Sequence, residues 1–210
     1  MTNDFRMSYF MPPIAPIKDE HGQLVTPPTL IPCCEVSVEQ VFQMITCNEN
    51  LKVLTEQVRN SEDIRTAKAS LLPYVTPCGT FSRRSSKCLI DPSLLTVVDI
   101  DYLTSYQEAV EIRKTLFNDP LLHPVLTFIS PSGRGVKAFI PYNHLPTVDD
   151  ATCITEKMKL AMLYTVMIYG TGTPPPFGEK KKGVDFSGKD IVRSCFLCHD
   201  PGALFRATNE

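Results

Sequence analysis

The run L-L-T-V-V-D-I-D, Leu94 to Asp101, constrains the fold more than any other stretch of the chain. Apolar, β-branched residues follow a turn signal at Asp91-Pro92 and end abruptly in two carboxylates, the pattern of a buried strand. Side chains alternate along a strand, so Asp99 and Asp101 point to the same face at its end. Two such carboxylates repel each other unless positive charge lies between them, and a divalent metal is the obvious candidate. A solvated turn, or the cap of a following helix, would also account for them.

The elements around this strand indicate an architecture. Residues 1–34 are too rich in proline for a helix (Pro12, Pro13, Pro16, Pro27, Pro28 and Pro32) and read as an extended arm wrapped on the surface. Residues 35–93 read as an N-terminal helical extension and a basic loop. Ser37 and Gln40 form a capping-box pattern before Val38, Val41, Phe42 and Ile45, and a second helix is expected from Leu51 to about Leu72, stopped by Pro73. Residues 94–210 form the third unit. After the opening strand, Thr104 and Gln107 suggest a cap for a helix ending at Asn118-Asp119-Pro120. Val125–Ile129 and Val136–Ile140 read as a hairpin, Asp149 to Gly170 as a long helix, and Arg193–Cys198 as the last strand.

Strand, helix, strand, strand, helix, strand is the βαββαβ order of an α+β, ferredoxin-like (RRM-like) fold, with both helices on one face of an antiparallel sheet. The first and third strands are then central neighbours. Val98 and Ile100 face the helices, Asp99 and Asp101 face the opposite side, and Lys137 is expected on that side beside Asp99. That face is open to ligands unless another element covers it.

Composition narrows the function classes. The chain of 210 residues has ordinary apolar and charged fractions, no apolar run of membrane-span length and no signal-peptide pattern, so a cytoplasmic protein with reduced thiols is expected. A net charge of −2 leaves nucleic-acid binding to local patches. Arg83, Arg84 and Lys87 form one such patch. Lys180, Lys181, Lys182, Lys189 and Arg193 form another, and each would otherwise be a solvated surface.

Two further stretches bear on chemistry. S-P-S-G-R-G, Ser130 to Gly135, has the makings of a phosphate cradle: Gly133 and Gly135 permit close backbone approach, Ser130 and Ser132 offer hydroxyls, and Arg134 with Lys137 offers positive charge. An ordinary hairpin loop has the same composition, and neither the P-loop nor the Rossmann pattern is matched. In G-V-D-F-S-G-K-D-I-V-R, Gly183 to Arg193, Asp185 could return to the sheet as a third metal ligand, with Lys189 and Arg193 toward phosphates. A capped turn is the alternative. C-F-L-C-H, Cys195 to His199, formally matches a c-type haem motif, but a strand and the missing secretion signal argue for structural thiols. His21, His123 and His144 lack the Ser or Cys partners of a hydrolase triad.

D-I-D at Asp99 to Asp101, S-P-S-G-R-G-V-K at Ser130 to Lys137 and V-D-F-S-G-K-D-I-V-R at Val184 to Arg193 resemble the three motifs of the archaeo-eukaryotic primase superfamily. More narrowly, with L-L-P-Y-V-T-P-C-G-T-F-S-R-R (Leu71 to Arg84) and the closing C-H-D-P, residues 35–205 are similar to the VirE-type N-terminal domain of Bacteroidetes mobile-element proteins. The resemblance implies a primase-polymerase palm for DNA replication or mobilisation of an element. In it Asp99, Asp101 and Asp185 would hold Mg²⁺ or Mn²⁺, and Lys137 would join them in catalysis. Ser130, Ser132, Gly133, Arg134, Gly135, Lys189 and Arg193 would bind a nucleoside triphosphate. Arg83, Arg84, Lys180, Lys181 and Lys182 would contact single-stranded DNA or a primer-template, and a helicase-type ATPase would be a partner. Many members of that superfamily carry histidine where Lys137 stands. A nucleic-acid-binding module without catalysis is the alternative, with a metal-dependent nuclease or a glycosyltransferase behind it.

Overall fold

The run ending in Asp99 and Asp101 is a strand in the computed structural model of the protein, which describes residues 5–142, 154–169, 183–184 and 190–207. In chain order come β1 (Arg6–Phe10), a short hairpin of β2 (Ile17–Lys18) and β3 (Leu24–Thr26), and β4 (Cys34–Ser37). Three helices follow: α1 (Val38–Cys47), α2 (Glu49–Arg59) and α3 (Ile64–Leu71). Then come β5 (Tyr74–Thr76), β6 (Gly79–Phe81), β7 (Leu89–Pro92), the opening strand β8 (Leu95–Asp101) and α4 (Tyr106–Phe117). The hairpin of β9 (Leu126–Ile129) and β10 (Val136–Pro141) precedes α5 (Ile154–Tyr169), β11 (Gly183–Val184), β12 (Cys195–Phe196) and β13 (Leu204–Phe205). Among the described residues no helix is long and apolar enough to cross a membrane.

Two antiparallel sheets carry the mixed α+β architecture. The larger has the order β11-β8-β10-β9-β13, and the smaller β12-β5-β1-β4. In the larger, β8 and β10 are neighbours, with Lys137 directly opposite Asp99 and Ala138 opposite Val98. Val98, Ile100, Val136, Ala138 and Ile140 pack on one face with Ala109 and Leu116 of α4 and Met158 and Ala161 of α5. Strand periodicity thus sets both helices behind Asp99 and Lys137.

The other face is largely covered. Leu95, Val97, Leu126, Phe128 and Phe139 share a core with Met7, Val36, Val41, Ile45, Leu51, Val58 and Val75 of the N-terminal elements. The N-terminal region is therefore no surface arm at its start. Arg6–Phe10 contains no proline and forms a strand between β4 and β5, with Met7 and Phe10 fully buried. Only beyond Met11 do the prolines force an irregular path.

Other expectations shift for local reasons. The Ser37/Gln40 capping box forms as predicted, with both reciprocal hydrogen bonds present. The single helix over 51–72 is two, because α2 closes at Asn60 and Asp63 recaps the chain by accepting from the Arg65 and Thr66 amides. The cap of α4 is Ser105 with Glu108, one residue beyond the predicted Thr104 and Gln107. Asp149 and Gly170, the expected ends of the long helix, lie outside the described residues.

The predicted last strand is the main correction. Residues 193–198 do not close the larger sheet. Cys195–Phe196 pairs with β5 in the smaller one, while the edge beside β8 is filled by the short Gly183–Val184. Cys195, Leu197 and Cys198 carry enough apolar surface to be drawn between the sheets, where all three are buried.

Candidate functional site

Asp99 and Lys137 meet because their strands pair in that register. The Lys137 ammonium donates to Asp99 Oδ2, and both side chains are about nine-tenths buried, at 9% and 10% exposure. Burial pulls the lysine pKa down, but the carboxylate of Asp99, aided by Asp101, outweighs it and holds the ammonium above its ordinary range. Asp99 Oδ1, in contrast, is buried and accepts no hydrogen bond. A buried carboxylate oxygen without a donor is a costly group, and it marks where a ligand would be stabilised.

Asp101 lies half-buried at the end of β8, against the hairpin loop. A Cβ on Gly135 would stand 2.6 Å from the Ile100 carbonyl, 2.9 Å from Ser130 Oγ and 3.2 Å from Asp101 Oδ1. Only glycine lets the loop lie this close to the carboxylate. The loop is closed by Ser130 N–H donating to the Gly135 carbonyl at 2.8 Å, and Gly133 turns it with φ of +71°. Ser130 Oγ and Ser132 Oγ are 3.1 Å apart. Arg134 is otherwise engaged: its Nε donates to the Leu103 carbonyl at 3.0 Å and its Nη2 to that of Thr104 at 3.4 Å. The Gly133 amide is itself committed to the Ser130 carbonyl at 2.9 Å, so the cradle predicted from sequence offers an anion two hydroxyls and the close approach that its glycines permit, while Arg134 braces the loop.

Lys68 is a nearby cation that sequence reasoning missed. It projects from α3 with its Nζ 5.7 Å from the Phe196 ring centroid. Burial, then the charge of Lys137, lowers its pKa, against the opposing pull of Asp101 and Asp99. Arg193, half-buried, acts on it too. Nothing in the alternation of charge along α3 singles out Lys68, since its relation to β8 and β10 exists only once the N-terminal elements cover the sheet.

The other predicted residues divide. Arg83 and Lys87 are exposed, whereas Arg84 donates to the Ile14 carbonyl at 2.8 Å and stacks over Tyr74, fastening the N-terminal segment. Asp185, Lys180, Lys181, Lys182 and Lys189 lie outside the described residues. Burial pushes the Cys195 thiol up to about 11 and that of Cys198 to about 12, as structural thiols require. The closing C-H-D-P has a structural role. Asp200 is buried, accepts from Arg113 Nη1 with both oxygens at 2.8 Å, and also accepts from the Ile129 and Gly202 amides. It ties α4, β9 and the C-terminal turn together.

Among the described residues no group of three His, Cys, Asp or Glu side chains could hold a metal ion. Two hard carboxylates remain, one with an unsatisfied oxygen. That donor set fits a single Mg²⁺ or Mn²⁺, since such ions are commonly held by one or two carboxylates, with water and substrate phosphates completing the shell. The Lys137 ammonium supplies a fixed positive charge on the other side of Asp99. No curated protein and no solved structure matches the chain. A family model described as the BT4734-like N-terminal domain matches residues 66–205, from within α3 to the end of β13.

Proposed function

We propose that this chain, which belongs to the family of BT4734-like N-terminal domains, uses its larger sheet as a ferredoxin-like palm of the primase-polymerase type for metal-dependent nucleotidyl transfer to DNA. The strand-helix-strand-strand-helix-strand order and the neighbouring β8 and β10 support that reading. The observation that carries it is the unsatisfied Asp99 Oδ1, on the same strand face as Asp101, which lies against a serine- and glycine-built loop. Carboxylates for a cation and hydroxyls for phosphates belong together in a nucleotide site.

Asp99 and Asp101 would hold Mg²⁺ or Mn²⁺, which would supply Lewis-acid stabilisation of the phosphoryl group. The Ser130 and Ser132 hydroxyls receive phosphate oxygens, and Gly133 and Gly135 let the phosphates approach the loop closely. Lys137 orients the Asp99 carboxylate through their hydrogen bond, and with Lys68 and Arg193 contributes positive charge where negative charge accumulates. Single-stranded DNA or a primer-template and nucleoside triphosphates are the substrates, with a helicase-type ATPase as a partner.

A second reading, a nucleic-acid-binding module without catalysis, is favoured by one observation. The Asp99–Lys137 ion pair already neutralises a carboxylate that a metal would otherwise neutralise. Primer synthesis and extension with dNTPs or NTPs and Mn²⁺ separates the two. Wild type is expected to yield product, and Asp99→Ala or Asp101→Ala to reduce it by about a thousandfold. Product that survives both substitutions would sink the carboxylate assignment. No wild-type product, with single-stranded DNA still bound, would establish the second reading.

A further inference from the structure

Two tyrosines outside the machinery described so far adjoin it, one in the chain and one against the hairpin loop. Tyr102 directly follows Asp101, and Tyr106 opens α4; each is 49% exposed, whereas Tyr74 and Tyr142 are buried. Neither position asks for an aromatic residue on backbone grounds. Tyr102 has φ of +60°, the left-handed region that Gly or Asn occupies with less strain. Tyr106 takes the first helical position, where a ring contributes nothing to capping. With half their surface in water, the rings are not core residues either.

The segment that carries them is hydrogen-bonded to the loop beside Asp101. Leu103 N–H donates to the Arg134 carbonyl at 2.9 Å, and Arg134 returns bonds to the carbonyls of Leu103 and Thr104. Tyr106 Cδ2 lies 3.6 Å from where a Gly133 Cβ would stand. Strain that its surroundings enforce, beside carboxylates and a serine-glycine loop, is characteristic of a ligand site. The ligand that two exposed tyrosines beside such a loop suit has an aromatic face as well as phosphates.

We propose that Tyr102 and Tyr106 form a stacking platform for a nucleobase beside this site. The proposal rests on the nucleotide reading given above. The base belongs either to an incoming nucleotide or to a single-stranded template, and the test distinguishes them.

Binding of the full chain in EDTA to a fluorescent oligothymidylate, to an abasic oligonucleotide of equal length, to ATP and to inorganic triphosphate supplies the measurement. Tyr102→Asn, which suits the left-handed backbone, and Tyr106→Ala should each weaken a base-bearing ligand about tenfold while leaving its base-free counterpart unchanged. Phenylalanine at either position should retain wild-type binding. Loss confined to the oligonucleotide assigns the template, loss confined to ATP assigns the incoming nucleotide, and loss of both supports a platform serving each. Equal weakening of base-bearing and base-free ligands, no weakening, or a wild type indifferent to the base would overturn the platform. If base-dependent binding is present but no Mn²⁺-dependent product forms, nucleotidyl transfer fails and the platform stands. If product forms and both tyrosine variants keep their binding and KM, the platform alone fails.

Discussion

Asp99 and Lys137 each lose hydration on burial, and the pair is tolerable only because the β8–β10 register sets the charges face to face. Lys137→Met therefore leaves a buried carboxylate without its counter-charge. A loss of about 3–5 kcal/mol at neutral pH is expected in urea denaturation, and Asp99→Asn/Lys137→Met should lose distinctly less than Lys137→Met alone. The sign with pH follows from a raised lysine pKa. The stabilisation is fully present below the ordinary lysine value and disappears only as pH rises through the higher folded one, so the difference between wild type and Lys137→Met should stay flat from about pH 6 to about pH 9. A difference that collapses within that window would mean the ion pair is not what stabilises the strand end. This pairing is legible in the amino-acid sequence, because period-two alternation and the adjacency of first and third strands suffice to put Lys137 beside Asp99. The Arg113–Asp200 bridge is not: its partners are separated by 87 positions, and no local pattern links a helix arginine to a C-terminal turn. Lys68 is illegible for the same reason.

Elements with internal signals are readable, and elements held only by their neighbours are not. α1 has an apolar stripe and a capping box of its own, and β9 and β10 have apolar runs around a turn. β11 is two residues after a Pro- and Lys-rich stretch and exists by pairing with β8, so pattern alone assigns the sheet edge to residues 193–198. The junction between hairpin loop and β8 lies at this scale too, since it depends on how two elements approach rather than on either alone. Gly135→Ala would place a methyl 2.6 Å from the backbone carbonyl of Ile100, which cannot swing aside as a side-chain tip could. A destabilisation of about 1–3 kcal/mol is expected, with a larger proportional loss of nucleotide binding, because the displaced loop carries Ser130 and Ser132 away from Asp101. Unchanged ATP affinity in a Gly135→Ala chain that folds would show that close approach of loop and carboxylate is not required.

At the scale of the whole molecule, the face opposite the helices becomes the seam between two sheets, and the seam makes the N-terminal elements integral. Strand order and periodicity leave room for another element to cover this face, but the prolines beyond Met11 mask the proline-free R-M-S-Y-F before them. The matched family region begins at residue 66, after β1, yet β1 lies between β4 and β5 and sends Met7 into the core shared with Val97, Phe128 and Phe139. Burying Met7 and Phe10 alone contributes about 3–6 kcal/mol, comparable with the whole stability of many domains, before the two ladders are counted. Deleting residues 1–10 should therefore abolish the cooperative thermal transition and expose apolar surface to a hydrophobic dye. Met7→Ala in the full-length chain should retain the transition, with a loss of about 2–5 kcal/mol. If the truncated chain instead melts cooperatively within a few degrees of wild type, the larger sheet does not need its cover, and the face bearing Asp99 and Lys137 is far more open than the seam implies.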